Sequence, residues 1–412
     1  MGKLGFHRYF YSKLHKDLIT VQQATEIINK VPFHADTEKL AIGNVTERVL
    51  AEIISSDRDL PPFHRATMDG IAIKFDEYKE GLREFLVEGV QAAGQPQQKI
   101  KAEKGCFEIM TGAMLPEGTD TVVRYEDISI NNQRATINAV IEKNQSVHKK
   151  GIDAGIGEVL LRPGTIISPA EIALLASIGK SEVIVYNARP FAMISTGDEL
   201  VPIEETPLPF QVRRSNGVAI TSALSLLHIN SNLTHLPDDE NILEEELRSI
   251  IKNHDVVILS GGVSKGKFDY VPGILEKLGI EKAFHQVKQR PGKPFWFGRS
   301  KTKTVFALPG NPVSTFLCFH RYVKPWIEAG LGIVSNNSKA VLAADFNFKP
   351  DLTYFLQVKI DTGTGTLLAT PDAGEGSGDF ANLKNVDGFI ELPSERNEFK
   401  KGEVFPYIPF RR

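Results

Sequence analysis

The stretch DVVILSGGVSKGKFD, residues 255–269, decides the fold that this sequence predicts. Residues 256–259 form an apolar run that is rich in β-branched side chains and too short for a helix, which is typical of a buried strand in a parallel sheet. The turn that follows contains Gly261 and Gly262, which bring main-chain N–H groups close to a ligand, and Ser264, which adds a donor. The stretch therefore predicts an anion cradle at the end of a buried strand.

Asp269 follows this cradle and precedes an apolar run with helical spacing, residues 271–278. A carboxylate beside a phosphate site indicates a divalent cation between the two groups. The same residues also fit an ordinary glycine-rich turn between strand and helix, in which Asp269 only caps the helix. Both interpretations stay open on this stretch alone.

The composition predicts a multidomain protein without a strong attraction to nucleic acid or membrane. The chain has 412 residues, and domains of about 150 residues would give two to four of them. Charged residues make up 24% with a formal net charge of -3, and no apolar run reaches the ~18 residues of a membrane span. The two cysteines, Cys106 and Cys318, show neither zinc spacing nor a disulfide framework, so we expect a cytoplasmic protein. Residues 1–18 are expected to be a poorly ordered leader.

The patterns along the chain predict a central α/β domain with further units around it. Strands and helices alternate over residues 190–331, which predicts a parallel sheet with right-handed crossovers. Residues 56–147 read as short strands broken by Gly and Pro, a β-rich domain inserted between the two halves of a helical linking domain at 19–55 and 148–189. Alternating polar and apolar residues predict a small C-terminal β-domain at 332–412.

Two capped helices are expected to join the halves of the linking domain. Thr20 precedes one amphipathic run, and Ser168 with Pro169 begins another that Gly179 ends. If these helices pack against each other, the β-rich domain is an insertion between them.

Polar residues follow the predicted strands of the α/β domain, at the edge where ligands of open α/β sheets bind. In the last of these turns, Asn311 and Pro312 are placed as cap and first residue of a helix, whose N-terminal dipole favours an anion. The other polar groups along this edge are Thr196, Asp198 and Glu199, Asp238 and Asp239, residues 260–269, and Arg290 and Lys293.

The residue types along this edge match chemistry on a phosphoanhydride. Carboxylates can hold a divalent ion, cations can bind an incoming oxyanion, and backbone amides can hold phosphates. The sequence contains no Walker loop, no GxGxxG and no Ser/His/Asp order. The residues alone therefore predict an enzyme or a binding protein for an anionic, nucleotide-like ligand.

Three polar residues and one loop outside the α/β domain allow two interpretations each. Asp69 is typical of an Asx turn, Thr111 ends a strand and caps a turn, and Asp153 lies in a small charged loop. Each of these residues could instead belong to a site. Residues 371–380, PDAGEGSGDF, could form a lid or a flexible turn.

Seven motifs in this chain resemble those of the molybdopterin molybdenumtransferase family, which is also related to the C-terminal region of gephyrin. The resemblance covers nearly everything after Ile19, and the motifs occur in the family's order. They are PPFHRATMDGIA, IMTGAMLPEGTDTVV, STGDEL, the Ser215-Asn216 helix start, SGGVSKGKFDY, RPGKPFWFG and LPGNPVS.

The resemblance implies an elongated homodimer of four domains, whose α/β domain is similar to that of molybdopterin adenylyltransferases. It implies insertion of molybdate into adenylylated molybdopterin, which releases AMP and gives the molybdenum cofactor, with Mg²⁺ or a similar divalent ion. The partners implied are a second subunit and other cofactor-biosynthesis proteins. The sequence does not distinguish molybdate from tungstate, because the charge and shape of the two ions are nearly equal.

The resemblance also implies roles for individual residues of the α/β edge. Glu199, Asp238 and Asp269 match the family's acidic residues, and we expect Glu199 and Asp269 to hold the metal. Lys293 joins these acids as a catalytic residue. The substrate-binding residues implied on this side are Ser215, Gly261, Gly262, Ser264, Arg290, Pro309, Asn311, Pro312 and Ser314, with Ser377 from the last domain.

Asp69, Thr111 and Asp153 gain a second role from the resemblance. They match residues that in the family face the α/β edge of the other subunit, so Asp69 becomes a catalytic candidate and Thr111 and Asp153 become substrate-binding candidates. The active site is then a composite of two subunits, and the dimer is required for activity.

The chain departs from the family pattern at several positions. His64-Arg65 replaces an aspartate-asparagine pair, and GGVSKGKFD stands where the family has GGVSVGDYD, which introduces Lys265 and Lys267. Gln286 replaces a frequent lysine, and Gln357 replaces an arginine. These changes redistribute charge near the cradle. We expect substrate contacts to pass to one or more of Lys265, Lys267 and Lys288.

The sequence also allows two alternative functions. One is a molybdopterin adenylyltransferase, which uses a similar α/β domain but leaves the inserted β-rich domain unexplained. The other is a non-catalytic carrier or scaffold for the cofactor.

Overall fold

The computed structural model describes residues 18–264, 269–334, 338–363 and 365–411. Within those ranges, none of the helices has the length and apolar character needed to cross a membrane. The chain begins with helix α1 (Val21–Asn29), in which Thr20 and Gln23 form a capping box. Strands β1 (Asp36–Ala41), β2 (Ile54–Ser55) and β3 (Arg65–Ala66) follow.

A β-rich domain comes next and contains one short helix. Its six strands form a sheet in the order β7-β4-β6-β5-β9-β8, with a core that includes Ile71, Phe85 and Val123. The elements are β4 (Gly70–Ile73), α2 (Phe75–Lys79), β5 (Glu84–Gln91), β6 (Gly105–Ile109), β7 (Thr121–Arg124), β8 (Ile128–Asn131) and β9 (Arg134–Ile137).

The chain then returns along its first segment. Strand β10 pairs with β3, β11 with β2, and β12 with β1, all of them antiparallel. The returning elements are β10 (Val147–His148), β11 (Val159–Leu161), α3 (Pro169–Ser177) and β12 (Glu182–Asn187).

The first helix does not pack against α3, so that expectation is wrong. Helix α1 buries Ala24 and Ile28 in the same cluster as Trp326 of the α/β domain, whose indole N–H donates to the carbonyl of Val31 at 2.6 Å. Leu175 of α3 belongs to a separate cluster. The two halves of the linking segment are instead joined by paired strands. The antiparallel pairing of β1 with β12 satisfies the backbone N–H and C=O groups that the two strands direct at each other.

The expected central α/β domain is confirmed. Its sheet has the order β16-β13-β17-β21-β20-β18. Its elements are β13 (Phe191–Thr196), β14 (Leu200–Val201), β15 (Val212–Arg213), α4 (Ser215–Ser225), β16 (Ser231–Leu236), α5 (Glu240–Asn253), β17 (Val256–Ser260), α6 (Val271–Lys277), β18 (Glu281–His285), β19 (Gln289–Arg290), β20 (Trp296–Arg299), β21 (Thr304–Leu308), α7 (Pro312–Cys318), a π-helical segment (Phe319–Val323) and α8 (Lys324–Gly330).

Alternate residues of the central strands bury their side chains on opposite faces of the sheet. Met193 and Ile258 join α4 and α7 on one face, whereas Ile194 and Leu259 join α5 and α6 on the other. This alternation explains the unbroken apolar run of β17, since a strand covered on both faces has no polar side.

The sheet is mixed rather than wholly parallel. Strands β16, β13, β17 and β21 run parallel, but β20 is antiparallel to both β21 and β18. Residues 286–295 therefore connect the end of β18 to the beginning of β20 at the same edge where β13, β17 and β21 end. Reversal of β20 keeps Arg290 and Lys293 on the expected edge.

The chain ends in a small β-domain. Strand β24 pairs with β25 and β26, and β22 and β28 close the ring between them. The short strand β19 of the preceding domain pairs with the start of β24. The elements are β22 (Lys339–Leu342), β23 (Phe346–Asn347), β24 (Thr353–Asp361), β25 (Leu368–Pro371), β26 (Gly388–Leu392), β27 (Glu398–Phe399) and β28 (Val404–Pro409).

Candidate functional site

A cavity of about 910 Å³ opens where β13, β17 and β21 end. The segments that follow β13, β16, β17, β18 and β21 all contribute residues to it, and a loop of the C-terminal domain forms one wall. The cavity brings together every site residue predicted on the α/β edge and Ser377: Glu199, Ser215, Asp238, Gly261, Gly262, Ser264, Asp269, Arg290, Lys293, Pro309, Asn311, Pro312, Ser314 and Ser377.

The glycine turn after β17 forms the floor of this cavity. Gly261 has a φ of 104°, and a Cβ at this position would lie 2.6 Å from the carbonyl oxygen of Thr196. Only glycine fits this conformation beside the neighbouring strand end. The close approach of the two strand ends exposes the backbone of residues 261–264 to the cavity, as an anion cradle requires.

Asn216, in the first turn of α4, holds this turn against its neighbour. Its carboxamide Nδ2 lies 2.9 Å from Ser260 Oγ, 2.7 Å from the carbonyl oxygen of Gly310 and 3.2 Å from Thr315 Oγ1. A single side chain thus connects a helix start to the turns after β17 and β21. The shape of the cradle depends on this contact.

The start of α7 faces the cavity and is closed by a loop from the C-terminal domain. Asn311 is the N-cap residue and Pro312 the first helical residue, as the sequence predicts. The Asn311 amide donates to Ser377 Oγ at 2.8 Å, and the Val313 N–H donates to the Ser377 carbonyl at 3.1 Å. Residues 371–380 are therefore docked on the helix start, and Ser377 forms part of the cavity wall.

Carboxylates cluster on one side of the cavity. Burial raises the pKa of the Asp238 carboxyl, and the charges of Asp198, Glu199 and Asp269 raise it further. In the part of the chain that the structure describes, no group of three or more His, Cys, Asp or Glu side chains is arranged to hold a metal by itself. Asp239 points away, since its side chain caps α5 by accepting from the Asn241 and Ile242 N–H groups.

Arg290 and Lys293 supply positive charge to the cavity. Both lie in the connection between β18 and β20, and the Arg290 guanidinium carbon is 5.9 Å from the Phe348 ring centroid. Lys288 does not line the cavity, and its ammonium pairs with Asp351 at 2.7 Å. A contact between Lys288 and substrate stays a prediction. Lys265 and Lys267 lie outside the described residues.

Asp69, Thr111 and Asp153 lie outside this cavity, in the β-rich domain and the return segment. One Asp69 oxygen accepts from the Thr111 N–H at 2.6 Å and from the Thr111 hydroxyl at 2.7 Å. These hydrogen bonds lower the pKa of Asp69. Asp153 contacts His148 Nε2 at 2.9 Å, and Arg65 approaches His148 Nδ1 at 3.3 Å. The three residues are thus ordered but remote from their own chain's cavity.

Three family profiles cover most of the chain. They are described as MoeA N-terminal region (domain I and II), matching residues 19–179, probable molybdopterin binding domain, matching 192–329, and MoeA C-terminal region (domain IV), matching 339–410. A molybdopterin molybdenumtransferase of Synechocystis sp. is 41% identical over 398 residues, which are 95% of this chain and 99% of that protein. The chain belongs to the molybdopterin molybdenumtransferase family.

Other members of the molybdopterin molybdenumtransferase family agree with this placement. The Haemophilus influenzae molybdopterin molybdenumtransferase is 32% identical over 95% of this chain and 99% of that protein. The solved molybdopterin biosynthesis moeA protein from Pyrococcus horikoshii is 30% identical with a TM-score of 0.81, covering 96% of this chain and 100% of that one. The multidomain architecture is therefore that of the family.

Three residues at which the chain departs from the family pattern make local hydrogen bonds here. Gln357 is 4% exposed within β24 and donates to the Ala373 carbonyl at 3.2 Å. His64 accepts from the Lys150 N–H at 3.1 Å, which fixes the loop that leads to Asp153. Gln286 accepts from the Ile19 N–H at 3.1 Å through its backbone.

Several residues that line the cavity were not predicted from the sequence. Arg213 and Arg214 line it and carried a signal, because two arginines directly precede the predicted helix at Ser215. Asn216 belongs to the Ser215-Asn216 motif, but the motif does not predict that its side chain connects the turns after β17 and β21. Gln289 also borders the cavity, but two of its partners, Cys318 and Tyr322, lie 29 and 33 residues further along the chain, so no local pattern indicates its surroundings.

Asp238→Asn is expected to raise the free energy of unfolding at pH 7, by less than about 1 kcal/mol for a half-buried group. The raised pKa means that the folded protein binds this proton more tightly than the unfolded chain does. The charged Asp238 therefore destabilises the fold above its raised pKa, and this cost disappears as the pH falls toward the ordinary value of 3.8.

This prediction is checked by denaturant unfolding at pH 7 and near the ordinary Asp pKa, without divalent ions. The two tryptophans of the chain, Trp296 and Trp326, both lie in the α/β domain, so their fluorescence follows the unfolding of that domain. The control is Asp239→Asn, which keeps a capping side chain outside the cluster. If Asp238→Asn raised the free energy of unfolding equally at both pH values, the charge of Asp238 would not be the source of the destabilisation.

Proposed function

We propose that this protein inserts molybdate into adenylylated molybdopterin, releasing AMP and giving the molybdenum cofactor. The single observation that carries the proposal is the cavity, which joins a backbone cradle, cationic side chains that include Arg290 and Lys293, and a carboxylate cluster at one sheet edge. Relatives at 41% and 32% identity over nearly the whole chain are named molybdopterin molybdenumtransferase. A cavity of about 910 Å³ lies in the range of small-molecule sites, which is about 300–1,000 Å³.

The phosphates of the substrate would bind on the backbone side of the cavity. Gly261, Gly262 and Ser264 offer the turn after β17, and Asn311 and Pro312 begin α7 opposite it. Pro312 has no N–H and the Val313 N–H already donates to the Ser377 carbonyl, so this helix start would act on a phosphate through its partial positive charge. Ser215 and Pro309 complete this wall.

Arg290 and Lys293 would hold the molybdate dianion beside the anhydride, with Ser314 as a further donor. Two fixed cations attract the incoming oxyanion and stabilise charge that develops on the anhydride oxygens as the bond to AMP breaks. Arginine suits this task because its planar guanidinium donates two parallel hydrogen bonds to an oxyanion.

The carboxylates fit a magnesium ion that is shared with the substrate. Charges at Asp198, Glu199 and Asp269 are close enough to raise the pKa of Asp238, which shows repulsion that a divalent cation would relieve. Magnesium commonly uses one or two carboxylates together with substrate phosphates and water, so a complete protein cage is not needed. Glu199 and Asp269 would hold the ion, which would neutralise charge on the anhydride.

Asp69, Thr111 and Asp153 would complete the site of a second subunit in a homodimer. The hydrogen bonds from Thr111 lower the pKa of Asp69 and hold its carboxylate in one orientation, which suits a polar ligand. We place the reaction in the cytoplasm, where two buried free thiols, Cys106 and Cys318, would stay reduced.

The test is AMP release from adenylylated molybdopterin and Mg²⁺, measured with and without molybdate. Release that depends on molybdate, together with metal in the isolated cofactor, is the expected result. ATP-dependent loading of AMP onto free molybdopterin would support an adenylyltransferase instead. Tight substrate binding without any AMP release would support a carrier.

A further inference from the structure

We propose that Gln289 and Tyr322 are positioning residues for the oxyanion loop, which we define as residues 290–293. Neither residue is expected to touch molybdate itself. Together they fix the backbone from which Arg290 and Lys293 reach into the cavity. This inference rests on the proposed function in one respect, namely that these two cations bind the molybdate oxyanion.

Gln289 lies at the base of the oxyanion loop and is 0% exposed. Its amide Nε2 donates to the carbonyls of Pro291 at 3.1 Å and Gly292 at 3.3 Å. Nε2 also lies 3.5 Å from Cys318 Sγ. A carboxamide has two N–H donors, so the carbonyls of the loop together with this sulfur occupy both of them. The side chain thus holds the curved loop from inside, between its two cations.

Tyr322 sets the orientation of that amide. Its hydroxyl donates to Gln289 Oε1, and the residue is 2% exposed. Because the Tyr322 hydroxyl donates, the amide atom that faces it must be an acceptor, which is Oε1 and not Nε2. This contact therefore leaves the two N–H groups of Gln289 directed toward the loop. Burial raises the pKa of Tyr322 well above its usual value, so the hydroxyl keeps the proton that it donates.

The helix that carries Tyr322 is irregular at this point. Residues Phe319–Val323 form a π-helical segment between α7 and α8, which are otherwise continuous. Such segments change the direction of side chains by inserting a residue into a helix, and they are frequent near functional sites. Here the segment places Tyr322 behind the oxyanion loop while α7 keeps its start at the cavity.

The loop backbone is pressed closely against this support. Gly292 has a φ of 86°, and a Cβ there would lie 2.7 Å from Cys318 Sγ and 2.8 Å from Gln289 Nε2. On its other side, β19 pairs with β24, in the register Gln289 to Thr353 and Arg290 to Tyr354. The oxyanion loop is therefore fixed by a helix on one side and by the C-terminal domain on the other.

The experiment compares Tyr322→Phe and Gln289→Glu with the unmodified protein in the AMP release assay. Tyr322→Phe removes one oxygen atom, and Gln289→Glu keeps the shape but loses both donors. The molybdate concentration for half-maximal rate is expected to rise about tenfold, which is the size of effect expected from losing a buried hydrogen-bond partner. The corresponding concentration of adenylylated molybdopterin should stay within about twofold, because the cradle is untouched.

Tyr78→Phe is the matched control. Tyr78 is 8% exposed in the β-rich domain, and its hydroxyl donates to the Ala139 carbonyl at 3.2 Å. It therefore loses a similar hydrogen bond remote from the loop. If Tyr322→Phe only weakened folding, it would lower the midpoint of thermal unfolding as Tyr78→Phe does and leave the half-saturating molybdate concentration unchanged. That outcome would overturn the proposal.

Equilibrium dialysis with molybdate alone separates this proposal from the proposed function. Weaker molybdate binding to both variants, with normal binding to Tyr78→Phe, supports the positioning role even if the unmodified protein releases no AMP, which would refute only the proposed reaction. Equal molybdate binding by all four proteins would show that the oxyanion loop does not depend on Gln289 and Tyr322. Absence of molybdate binding to the unmodified protein would refute the assignment of residues 290–293 as a binding site for the oxyanion.

Discussion

Asp269→Asn is expected to lower the rate of molybdate-stimulated AMP release by about 100- to 1000-fold, the range seen when one group that stabilises transition-state charge is removed. Asp269 lines the cavity directly after the cradle, and its charge is felt at Asp238. Asparagine keeps the size of the side chain but cannot hold a divalent cation as strongly. The rate at saturating substrate should therefore fall while the protein remains folded.

The matched control for this prediction is Asp239→Asn. Asp239 is adjacent to the cluster in sequence, but its carboxylate caps α5 through the Asn241 and Ile242 N–H groups. Asparagine is an equally good N-cap, so stability and rate should both stay near those of the unmodified protein. Single-turnover AMP release at saturating molybdate and Mg²⁺ measures the effect. If Asp269→Asn released AMP at the parental rate with normal substrate binding, its catalytic assignment would be wrong.

Local sequence patterns were sufficient to predict the parts of the site that are built from one turn each. The apolar run before Gly261 predicts β17 and its glycine turn, and Asn311-Pro312 predicts the start of α7. These predictions work because glycine conformation, helix capping and strand burial depend on neighbouring residues. The convergence of these turns followed from the rule that ligands bind where parallel strands end.

Contacts between distant segments could not be predicted in this way. The reversal of β20 and the packing of α1 against Trp326 depend on which surfaces are free in the folded chain. Gln289 and Tyr322 are separated by 33 residues, and neither side chain has a pattern that distinguishes it from an ordinary core residue. Asp238 and Asp239 show the same limit, since only the structure reveals which carboxylate faces the cavity and which caps a helix.

Mixed dimers of Asp69→Asn and Asp269→Asn subunits are expected to recover about a quarter of the unmodified activity, although each variant alone is nearly inactive. In a composite site, Asp269 of one subunit works with Asp69 of the other. Random mixing makes about half of the dimers heterodimeric, and each of these contains one site without a substitution. The prediction starts from the position of Asp69 and Thr111, which do not line the cavity of their own chain and are hydrogen-bonded to each other.

The matched control mixes Asp238→Asn with Asp269→Asn. Both residues line the same cavity of the same chain, so every site in such a dimer contains a substitution and no activity should return. The variants can be refolded together or produced in one cell with different affinity tags. AMP release is measured on the unfractionated mixture, where about a quarter of the activity is expected, and on the doubly purified heterodimer, where one intact site of two gives about half. If Asp69 acted within its own chain, each subunit of the Asp69→Asn and Asp269→Asn heterodimer would still carry a defective site. Activity no higher than that of the two separate variants would therefore exclude the composite site, whereas recovery limited to this pair would assign Asp69 to the partner's cavity.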